Sequence, residues 1–442
     1  MKFDIMESKL YPIIRLIVDV FIIIFGYYIS FFVRYGHNIQ EKNMEPFFTL
    51  MPYIILASLF FFHIYLTDDN GDDSYFDTVI SSLLAILMIQ IATMAMSFFS
   101  RGFAFPRSIF AISFILHSVM IILWKKTLVY GEGRFGFRSK LLLIGDDEKN
   151  RNVMKNLIRI RNSRVEIAGE MKVDELLKYG IPESIDSICI TGSIEGFYND
   201  KVLEMAVAND KKIFVVPNLY EIILSNSKLS QFDDMPVLKV RRLSLTMEQR
   251  FIKRLIDLAL VVPALVITSP FMIVASIMIK KNDGGPVFYK QERLTWGGKR
   301  FELIKFRTMI VNAEEKTGPV LAGTNDLRIT KAGRLLRATR LDELPQLINV
   351  LKGDLSLVGP RAEREFFYEE FSEEIPQFKY RLSIKAGVTG LGQILGRYTT
   401  SPEDKLAYDL LYAYSYSVLL DIKIILRTIR IMMKASSSKG KN

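Results

Sequence analysis

Four long apolar runs open the chain, and they constrain its fold more than any other feature. They extend over residues 11–33, 46–66, 79–99 and 103–124. Each can cross the hydrocarbon core of a bilayer as a helix, because a helix rises about 1.5 Å per residue. The whole chain is 50% hydrophobic, with a mean hydropathy of +0.20. The sequence therefore predicts a membrane protein with four transmembrane helices within residues 1–130.

Charges around these runs predict that both ends of the region face the cytosol. Lys2 and Lys9 precede the first run. The fourth run is followed by Lys125, Lys126, Arg134, Arg138 and Lys140. Positive charge marks cytosolic segments, and an even number of spans agrees with this placement. Arg15 and Asp19 lie one helical turn apart inside the first run, which predicts a buried ion pair.

The residue inventory excludes several kinds of site. The only histidines are His37, His63 and His117, and all lie within or beside the apolar runs. A histidine-based zinc site or a Ser-His-Asp triad in the polar part of the chain is therefore excluded. The single cysteine, Cys189, excludes an intrachain disulfide and agrees with a reducing compartment.

Short β-rich runs alternate with helical ones after Lys140. The predicted strands are 141–144, 187–190 and 213–216, and the predicted helices are 150–161 and 200–209. This alternation predicts a small Rossmann-like βαβ domain over residues 138–240, with a mostly parallel sheet. Acidic residues 146–148 follow Gly145 where a dinucleotide-binding turn needs glycines. We therefore expect a structural, regulatory or dimerising role for this domain.

A fifth apolar run, within residues 253–280, has basic pairs at both ends, 253–254 and 280–281. Ser269-Pro270 lies near its middle. Proline removes a backbone donor and serine can bond a freed carbonyl, so the pair favours a sharp break. A re-entrant helix that returns to the same face and a fifth span with a proline kink are both possible. The re-entrant form is favoured because a fifth span would place the following polar region outside the cell, away from cytosolic nucleotides.

Two adjacent carboxylates, Asp342 and Glu343, follow arginines at 334, 337 and 340. Guanidinium groups favour the ionised form of a neighbouring carboxylate and neutralise phosphate oxygens. This pattern predicts a carboxylate that attacks phosphorus in a diphosphate. A salt-bridge ladder on a helix surface is the alternative.

Basic residues elsewhere in the polar region are candidate phosphate ligands. Lys305 and Arg307 point the same way on an extended segment, and Arg361 follows the rigid Gly359-Pro360 pair. Arg293 lies in the same basic region. Contact with anionic lipid is the alternative for these residues. Glycines at 387, 390 and 392 are expected to admit a ligand close to the backbone.

Residues 251–433 resemble the catalytic unit of the monotopic phosphoglycosyl transferases, bacterial sugar transferases that start capsule, exopolysaccharide and O-antigen synthesis. The motifs that carry the resemblance are Ser269-Pro270, Lys305-Phe306-Arg307-Thr308-Met309, Leu341-Asp342-Glu343-Leu344-Pro345-Gln346, Ser356-Leu357-Val358-Gly359-Pro360-Arg361 and Val388-Thr389-Gly390. The layout of the whole chain resembles the large polyprenyl-phosphate hexose-1-phosphate transferase branch. A mostly helical monotopic catalytic domain over residues 248–442 is implied.

The resemblance implies a two-step reaction. Asp342 would attack the β-phosphorus of a UDP-sugar and release UMP, and a polyprenyl (undecaprenyl) phosphate would then collect the sugar phosphate. Glu343 would help to hold Mg²⁺ or orient the acceptor, with Asp342 as a second candidate metal ligand. The implied phosphate ligands are Lys305, Arg307, Arg337 and Arg361. The Ser269-Pro270 break would set the depth at which the lipid phosphate meets Asp342.

The implied setting is the bacterial inner membrane, with the catalytic domain on the cytosolic face. The expected partners are a UDP-sugar, a polyprenyl phosphate, membrane lipid, a second copy of the chain and proteins of polysaccharide assembly, but no nucleic acid. Ala362, Ala386 and Gly392 depart from the family pattern of two prolines and an aromatic residue. These departures would loosen loops around the sugar or uridine pocket, so no sugar is assigned.

Two other classes of function share part of this layout. A membrane-anchored nucleotide-sugar dehydratase would need a glycine-rich dinucleotide turn and a Tyr-x-x-x-Lys pair, and the sequence contains neither. A non-enzymatic membrane scaffold or regulator would use the same basic surface to bind lipid or a partner. It predicts that neutralising Asp342 leaves function intact.

Overall fold

The computed structural model divides into two compact units, Met1–Pro217 and Asn218–Asn442. It describes residues 10–37, 39–66, 75–99, 106–135, 139–145, 165–191, 196–225, 227–311, 313, 326, 328–396 and 400–433. The predicted helix at 150–161 lies outside these residues.

The first unit begins with four long apolar helices. They are α1 (Leu10–Tyr35), α2 (Glu41–Leu66), α3 (Tyr75–Phe99) and α4 (Arg107–Phe135). Each coincides with one of the predicted apolar runs, and each is long and apolar enough to cross a membrane. The prediction of membrane-length helices in this region is confirmed.

A buried ion pair links α1 to α4. The Nζ atom of Lys125 lies 2.8 and 2.6 Å from the two carboxylate oxygens of Asp19. Both side chains are almost fully buried. The predicted pairing of Asp19 with Arg15 stays a prediction, and Lys125, which was expected at the cytosolic flank, supplies the contact described here. Removing either partner would take this direct contact away from a buried charge in an apolar bundle, which is destabilising.

Close packing accompanies this pair at Gly26. A Cβ atom on Gly26 would lie 2.3 Å from Cδ2 of His117 on α4, so a side chain at this position would force the ring to move. The Nε2 atom of His117 lies 2.8 Å from the carbonyl oxygen of Ile23. The small residue thus allows α1 and α4 to approach and lets the histidine find a buried polar partner.

A parallel four-stranded sheet completes the first unit. Its elements are β1 (Ser139–Ile144), β2 (Val165–Met171), α5 (Val173–Tyr179), β3 (Ser187–Thr191), α6 (Gly196–Ala208) and β4 (Lys212–Val216). The strand order is β2-β1-β3-β4. The central strands β1 and β3 are buried on both faces, as is usual in parallel sheets. The three predicted strands are observed, and β2 was not predicted.

The second unit starts earlier than the sequence suggested. It includes α7 (Leu219–Ser225) and an antiparallel hairpin of β5 (Lys228–Phe232) and β6 (Met235–Lys239). Ile222 of α7 is buried in a cluster with Phe378 and Leu406. This apolar contact places α7 with the second unit, so the boundary lies after Pro217 instead of near residue 240.

The remaining elements of the second unit are mostly helical and surround a few short strands. They are α8 (Met247–Asp283), β7 (Phe288–Leu294), a 3-10 helix (Trp296–Gly298), β8 (Arg300–Phe306), α9 (Lys331–Ala338), a 3-10 helix (Leu341–Glu343), α10 (Gln346–Lys352), β9 (Ser356–Val358), α11 (Glu365–Glu374), a 3-10 helix (Pro376–Ser383), β10 (Gly387–Thr389), α12 (Leu391–Leu395), α13 (Pro402–Ser415) and α14 (Val418–Met433). Strands β7 and β8 form a hairpin, and β9 pairs with β10 in parallel.

Helix α8 runs without interruption through the predicted break at Ser269-Pro270. Pro270 cannot donate to the carbonyl of Val266 four residues earlier. The hydroxyl of Ser269 donates to that carbonyl at 2.8 Å instead. The predicted role of the serine is therefore confirmed. The predicted break does not interrupt the helix, because the hydroxyl bonds the carbonyl that Pro270 leaves free.

Both ends of α8 are fixed to the second unit. Near the start, Lys253 forms a buried ion pair with Asp421 of α14, at 2.6 Å between Nζ and Oδ2. Asp257 accepts hydrogen bonds from Oγ of Ser356 at 2.8 Å and from the backbone N–H of Leu357 at 3.0 Å. At the far end, Asp283 pairs with Arg307, which follows β8.

The middle of α8 is exposed and apolar. Val266, Ile267 and Phe271 are 69%, 68% and 57% exposed, although water is an unfavourable neighbour for all three. An apolar surface of this kind between two anchored ends requires another apolar medium to cover it.

Candidate active site

The two candidate carboxylates lie on the short 3-10 helix that follows α9. Arg340 precedes them in the left-handed region, with φ of 58°, and so turns the chain sharply after α9. Leu341 then packs with Phe306 and Leu336, while Leu344 packs with the neighbouring cluster around Leu303. The two leucines hold the segment from both sides and leave Asp342 and Glu343 between them.

Glu343 is bound by two cations. Its Oε1 atom lies 2.9 Å from Nζ of Lys305 and 3.8 Å from Nη2 of Arg361. Burial by itself would raise the pKa of Glu343, but the charges of Lys305 and Arg361 outweigh it and hold the pKa at about 2. This carboxylate is therefore ionised at any physiological pH.

Asp342 has a different environment from its neighbour. Its carboxylate accepts no hydrogen bond within the part of the chain that the structure describes. Burial and the charge of Glu343 raise its pKa to about 6, and Lys305, Arg337 and Arg340 oppose the shift only in part. The expectation that the arginines hold Asp342 ionised is wrong, and that description fits Glu343. Above pH 6 Asp342 is an ionised carboxylate with poorly stabilised charge, which suits a nucleophile.

Lys305 is positioned by a residue that the sequence analysis did not single out. Asn349 of α10 is buried, and its side-chain amide accepts from the backbone N–H of Ile304 at 2.9 Å and donates to the carbonyl of Glu302 at 2.7 Å. The amide thus completes the backbone hydrogen bonding of β8 next to Lys305. The only sequence signal was a polar residue inside the apolar helix Gln346–Lys352.

The structure brings three of the five predicted phosphate ligands to the carboxylates. Lys305 and Arg361 contact Glu343 directly. Arg337 donates from Nε to Oγ1 of Thr308 at 2.9 Å, and its charge acts on Asp342. The result is a carboxylate pair with positive charge on several sides, which suits a diphosphate ligand.

Arg307 and Arg293 are not brought to the carboxylates. Arg307 is 7% exposed and binds Asp283 and the carbonyl of Pro286, so it anchors the end of α8. Arg293 donates to the carbonyl of Ala362 at 3.2 Å and to Gln291 at 2.6 Å. Burial lowers the pKa of Arg293 to about 10. Both residues support the chain around the site. Ser269 and Pro270 lie on the exposed middle of α8.

A close crossing of two backbones fixes the turn at Arg361. Gly359 donates to the carbonyl of Thr389 and Gly387 donates to that of Pro360, both at 2.8 Å. A Cβ atom on Gly387 would lie 2.1 Å from the backbone nitrogen of Gly359. The glycines expected to admit a ligand therefore admit a second stretch of backbone at this point.

Two of the three departures from the family pattern are buried beside this crossing. Ala362 and Ala386 belong to the apolar cluster that includes Val261 and Leu355. At Gly392, an added Cβ atom would come within 3.4 Å of Cβ of Tyr408. The alanines are thus packed in a core, and their effect on a sugar or uridine pocket stays a prediction.

The donor set suits a magnesium ion that arrives with a diphosphate. Among the described residues, no group of three or more His, Cys, Asp or Glu side chains could hold a metal. Mg²⁺ is commonly bound by one or two carboxylates together with water and substrate phosphates. Asp342 and Glu343 fit that pattern.

Comparison with known proteins identifies the region around this site. A family model described as bacterial sugar transferase matches residues 248–435. A sugar transferase of Bacillus subtilis named EpsL, itself uncharacterized, is 42% identical over 179 residues, which are 40% of this chain and 86% of that protein. The UDP-N-acetylgalactosamine-undecaprenyl-phosphate N-acetylgalactosaminephosphotransferase of Aeromonas hydrophila is 39% identical over 186 residues, which are 41% of this chain and 44% of the relative.

A further relative carries a different sugar in its name. The UDP-glucose:undecaprenyl-phosphate glucose-1-phosphate transferase of Xanthomonas campestris pv. campestris is 33% identical over 265 residues, which are 58% of this chain and 54% of the relative. The chain spans about half the length of these two transferases, 44% and 54%. The match to the family model contains all of the candidate site residues.

The opposite pKa shifts of the two carboxylates predict opposite effects on stability. Folding raises the pKa of Asp342 above its ordinary value, so its charge destabilises the folded state above pH 6, and this cost disappears toward pH 4. Folding lowers the pKa of Glu343, so its charge stabilises the folded state at neutral pH. At pH 7.5, Asp342→Asn should therefore raise the free energy of unfolding by about 1–3 kcal/mol, and Glu343→Gln should lower it.

Thermal unfolding of the detergent-solubilised protein measures both effects, and each variant is the control for the other. A lower melting temperature for Asp342→Asn at pH 7.5 would contradict the assignment of Asp342 as the destabilised carboxylate. A benefit that persists unchanged at pH 4 would contradict its electrostatic origin.

Proposed function

Because the chain belongs to the bacterial sugar transferase family, we propose that it transfers a sugar 1-phosphate from a UDP-sugar to a polyprenyl phosphate and releases UMP. The carboxylate pair carries this proposal. Asp342 has no hydrogen-bond partner among the described residues, while its neighbour Glu343 is held by Lys305 and Arg361. The names of the relatives, which give UDP-sugars and undecaprenyl phosphate, support these substrates.

The first step is attack by a carboxylate oxygen of Asp342 on the β-phosphorus of the donor. The bond from this phosphorus to the oxygen that bridges to the α-phosphate breaks, and UMP leaves with that oxygen. Lys305, Arg337 and Arg361 offset the charge that gathers on the phosphate oxygens. Because burial and Glu343 destabilise the ionised form of Asp342, its negative charge is relieved when it bonds to phosphorus.

The second step returns Asp342 to its starting state. A phosphate oxygen of the polyprenyl phosphate attacks the phosphorus of the aspartyl sugar phosphate, and the acyl phosphate bond breaks. The product is a polyprenyl diphosphate sugar, the first lipid-linked intermediate of capsule, exopolysaccharide or O-antigen synthesis. A covalent intermediate allows one site to serve a soluble donor and a lipid acceptor in turn.

Glu343 would hold Mg²⁺ together with phosphate oxygens of the donor, and the bound ion would supply positive charge opposite the diphosphate. Lys305 keeps Glu343 in place in the free protein, at 2.9 Å. Both contacts reach Oε1 of Glu343, whereas the carboxylate of Asp342 accepts no hydrogen bond among the described residues, so Asp342 is proposed as the nucleophile.

Helix α8 is proposed to enter the bilayer and return to the cytosolic face. The contacts of Lys253 and Asp257 at one end and of Asp283 at the other all join α8 to the same unit. A helix fixed at both ends to one cytosolic unit has no end left for the opposite side of the membrane. The exposed apolar middle around Ser269-Pro270 would then lie in lipid, and the polyprenyl phosphate would reach Asp342 from that surface.

Release of UMP tests the proposed reaction. We expect purified protein with Mg²⁺, undecaprenyl phosphate and a panel of UDP-sugars to release UMP from one donor. Asp342→Asn should reduce the rate by at least about 1000-fold, because it removes the nucleophile. Arg300→Gln, on an exposed ion pair with Glu365, is the matched control and should keep full activity. Release of UDP would contradict the mechanism. If folded protein released no nucleotide from any donor, the non-enzymatic scaffold would be favoured.

The pH dependence of the rate tests the role of Asp342 independently. With a pKa of about 6, Asp342 loses its proton as the pH rises through that value. We expect kcat/KM for the UDP-sugar to rise about tenfold per pH unit below pH 6 and to level off above it. Glu343 has a pKa of about 2, so its titration does not change the rate between pH 5 and 7. A profile that is flat from pH 5 to 7 would contradict a carboxylate nucleophile of this pKa.

Labelling of single cysteines tests the path of α8. In a Cys189→Ser background, Met247→Cys and Lys281→Cys place exposed thiols at the two ends of the helix. We expect a membrane-impermeant maleimide to label neither in intact spheroplasts and both after permeabilisation. His37→Cys, between α1 and α2, should be labelled from outside and serves as the control. Labelling of either end of α8 from outside would show a fifth span.

A further inference from the structure

Four charged side chains gather around the backbone of the turn that carries Arg361. This turn cluster consists of Arg293, Glu363, Arg381 and Asp409. Arg381 and Asp409 are 4% and 6% exposed. Arg293 was predicted as a phosphate ligand, but the geometry brings none of the four to the carboxylate pair, and the cluster lies next to Arg361, which contacts that pair.

Arg381 connects Glu363 and Asp409 of the turn cluster to the turn itself. Its Nη2 atom donates to the backbone carbonyl of Arg361 at 3.2 Å and lies 2.8 Å from Oδ2 of Asp409. Its Nη1 atom lies 3.6 Å from Oε1 of Glu363. The guanidinium also packs over the ring of Phe378, with Cζ 4.6 Å from the ring centroid. A planar group with several fixed donors is suited to making these contacts at once.

The backbone at Arg361 is thereby held by two independent sets of contacts. One is the crossing with β10, where Gly387 donates to the carbonyl of Pro360. The other is the hydrogen bond from Arg381. The side chain of Arg361 is still 48% exposed and reaches Glu343 at 3.8 Å. An exposed side chain loses less freedom on binding a ligand when its own backbone is already fixed.

Stabilisation of the fold does not by itself explain why these charged side chains are buried together. Taking charges out of water is costly, and buried ion pairs often stabilise a fold no better than apolar residues of similar size. The bond to the Arg361 carbonyl gives the buried guanidinium a second role, because it connects the pair with Asp409 to a residue that faces the site.

We propose that Arg381 is a positioning residue, which fixes the backbone of Arg361 so that the Arg361 guanidinium is already placed for the diphosphate of the donor. The proposal rests on the proposed function for the identity of the anion. Arg381 itself does not touch the ligand, and its effect passes through Arg361.

A double-mutant cycle tests this coupling with UDP as the ligand. Isothermal titration in the presence of Mg²⁺ gives the affinity of the full-length protein and of Arg361→Met, Arg381→Met and the double variant. We expect each single variant to weaken UDP binding by about tenfold. The double variant should be no weaker than Arg361→Met, because Arg381 has nothing to position once the Arg361 guanidinium is gone. Additive losses, about a hundredfold in the double variant, would overturn the proposal.

Arg381→Lys is a second variant, which tests the proposal even if Arg381→Met fails to fold. The lysine keeps a positive charge beside Asp409, but one ammonium group cannot reproduce the contacts to Asp409, Glu363 and the Arg361 carbonyl. We expect it to bind UDP about five- to tenfold more weakly than the wild type, with a melting temperature close to that of the wild type. Equal affinity would overturn the proposal. Arg300→Gln is the control and should bind UDP normally.

The outcomes separate this inference from the proposed reaction. UDP binding needs no turnover, so wild-type protein that binds UDP but releases no UMP would count against the transferase mechanism and leave the coupling measurable. Additive losses would remove the role of Arg381 and leave the transferase mechanism intact. Wild-type protein that does not bind UDP would overturn the proposal, because Arg361 would then have no diphosphate to meet.

Discussion

The anchoring of helix α8 at both ends is the constraint on which the second unit depends. Asp257 binds the first residues of β9, and β9 leads directly into the turn that carries Arg361. At the other end, Asp283 binds Arg307, two residues beyond Lys305. The two cations that hold Glu343 are therefore attached, through short stretches of backbone, to opposite ends of one helix. Between these anchored ends, Val266, Ile267 and Phe271 in the middle of the helix are largely exposed.

The site shows how two adjacent carboxylates acquire different chemistry. Glu343 receives the direct contacts with Lys305 and Arg361, which favour its charged form. Asp342 is removed from solvent and repelled by the charge of Glu343, and both effects disfavour its charged form. Sequence order cannot produce this division, because the residues are neighbours in the same arginine-rich segment. The difference arises because the side chain of Glu343 faces Lys305, near the end of β8, and the side chain of Asp342 does not contact it.

Local sequence pattern is sufficient to predict the elements that it decides. Hydropathy located the long helices, and alternating apolar runs located three strands of the parallel sheet. Contacts with a partner distant in sequence were not predicted. The flanking charge Lys125 pairs with Asp19, and the predicted phosphate ligand Arg307 binds Asp283, and neither contact has a signal in the local sequence. Asn349 gave no signal beyond its polarity, because its role depends on the position of β8.

The backbone crossing near Arg361 also limits how this protein can be engineered. At Gly359, Gly387 and Gly390, an added Cβ atom would lie 2.3, 2.1 and 2.2 Å from main-chain atoms that have no room to move. A library that randomises these positions would consist mostly of chains that cannot close the crossing, whatever their chemistry. Useful diversity has to enter through exposed side chains outside the candidate site, such as Phe366 on α11, so that the architecture of the turn separates residues that can be varied from those that cannot.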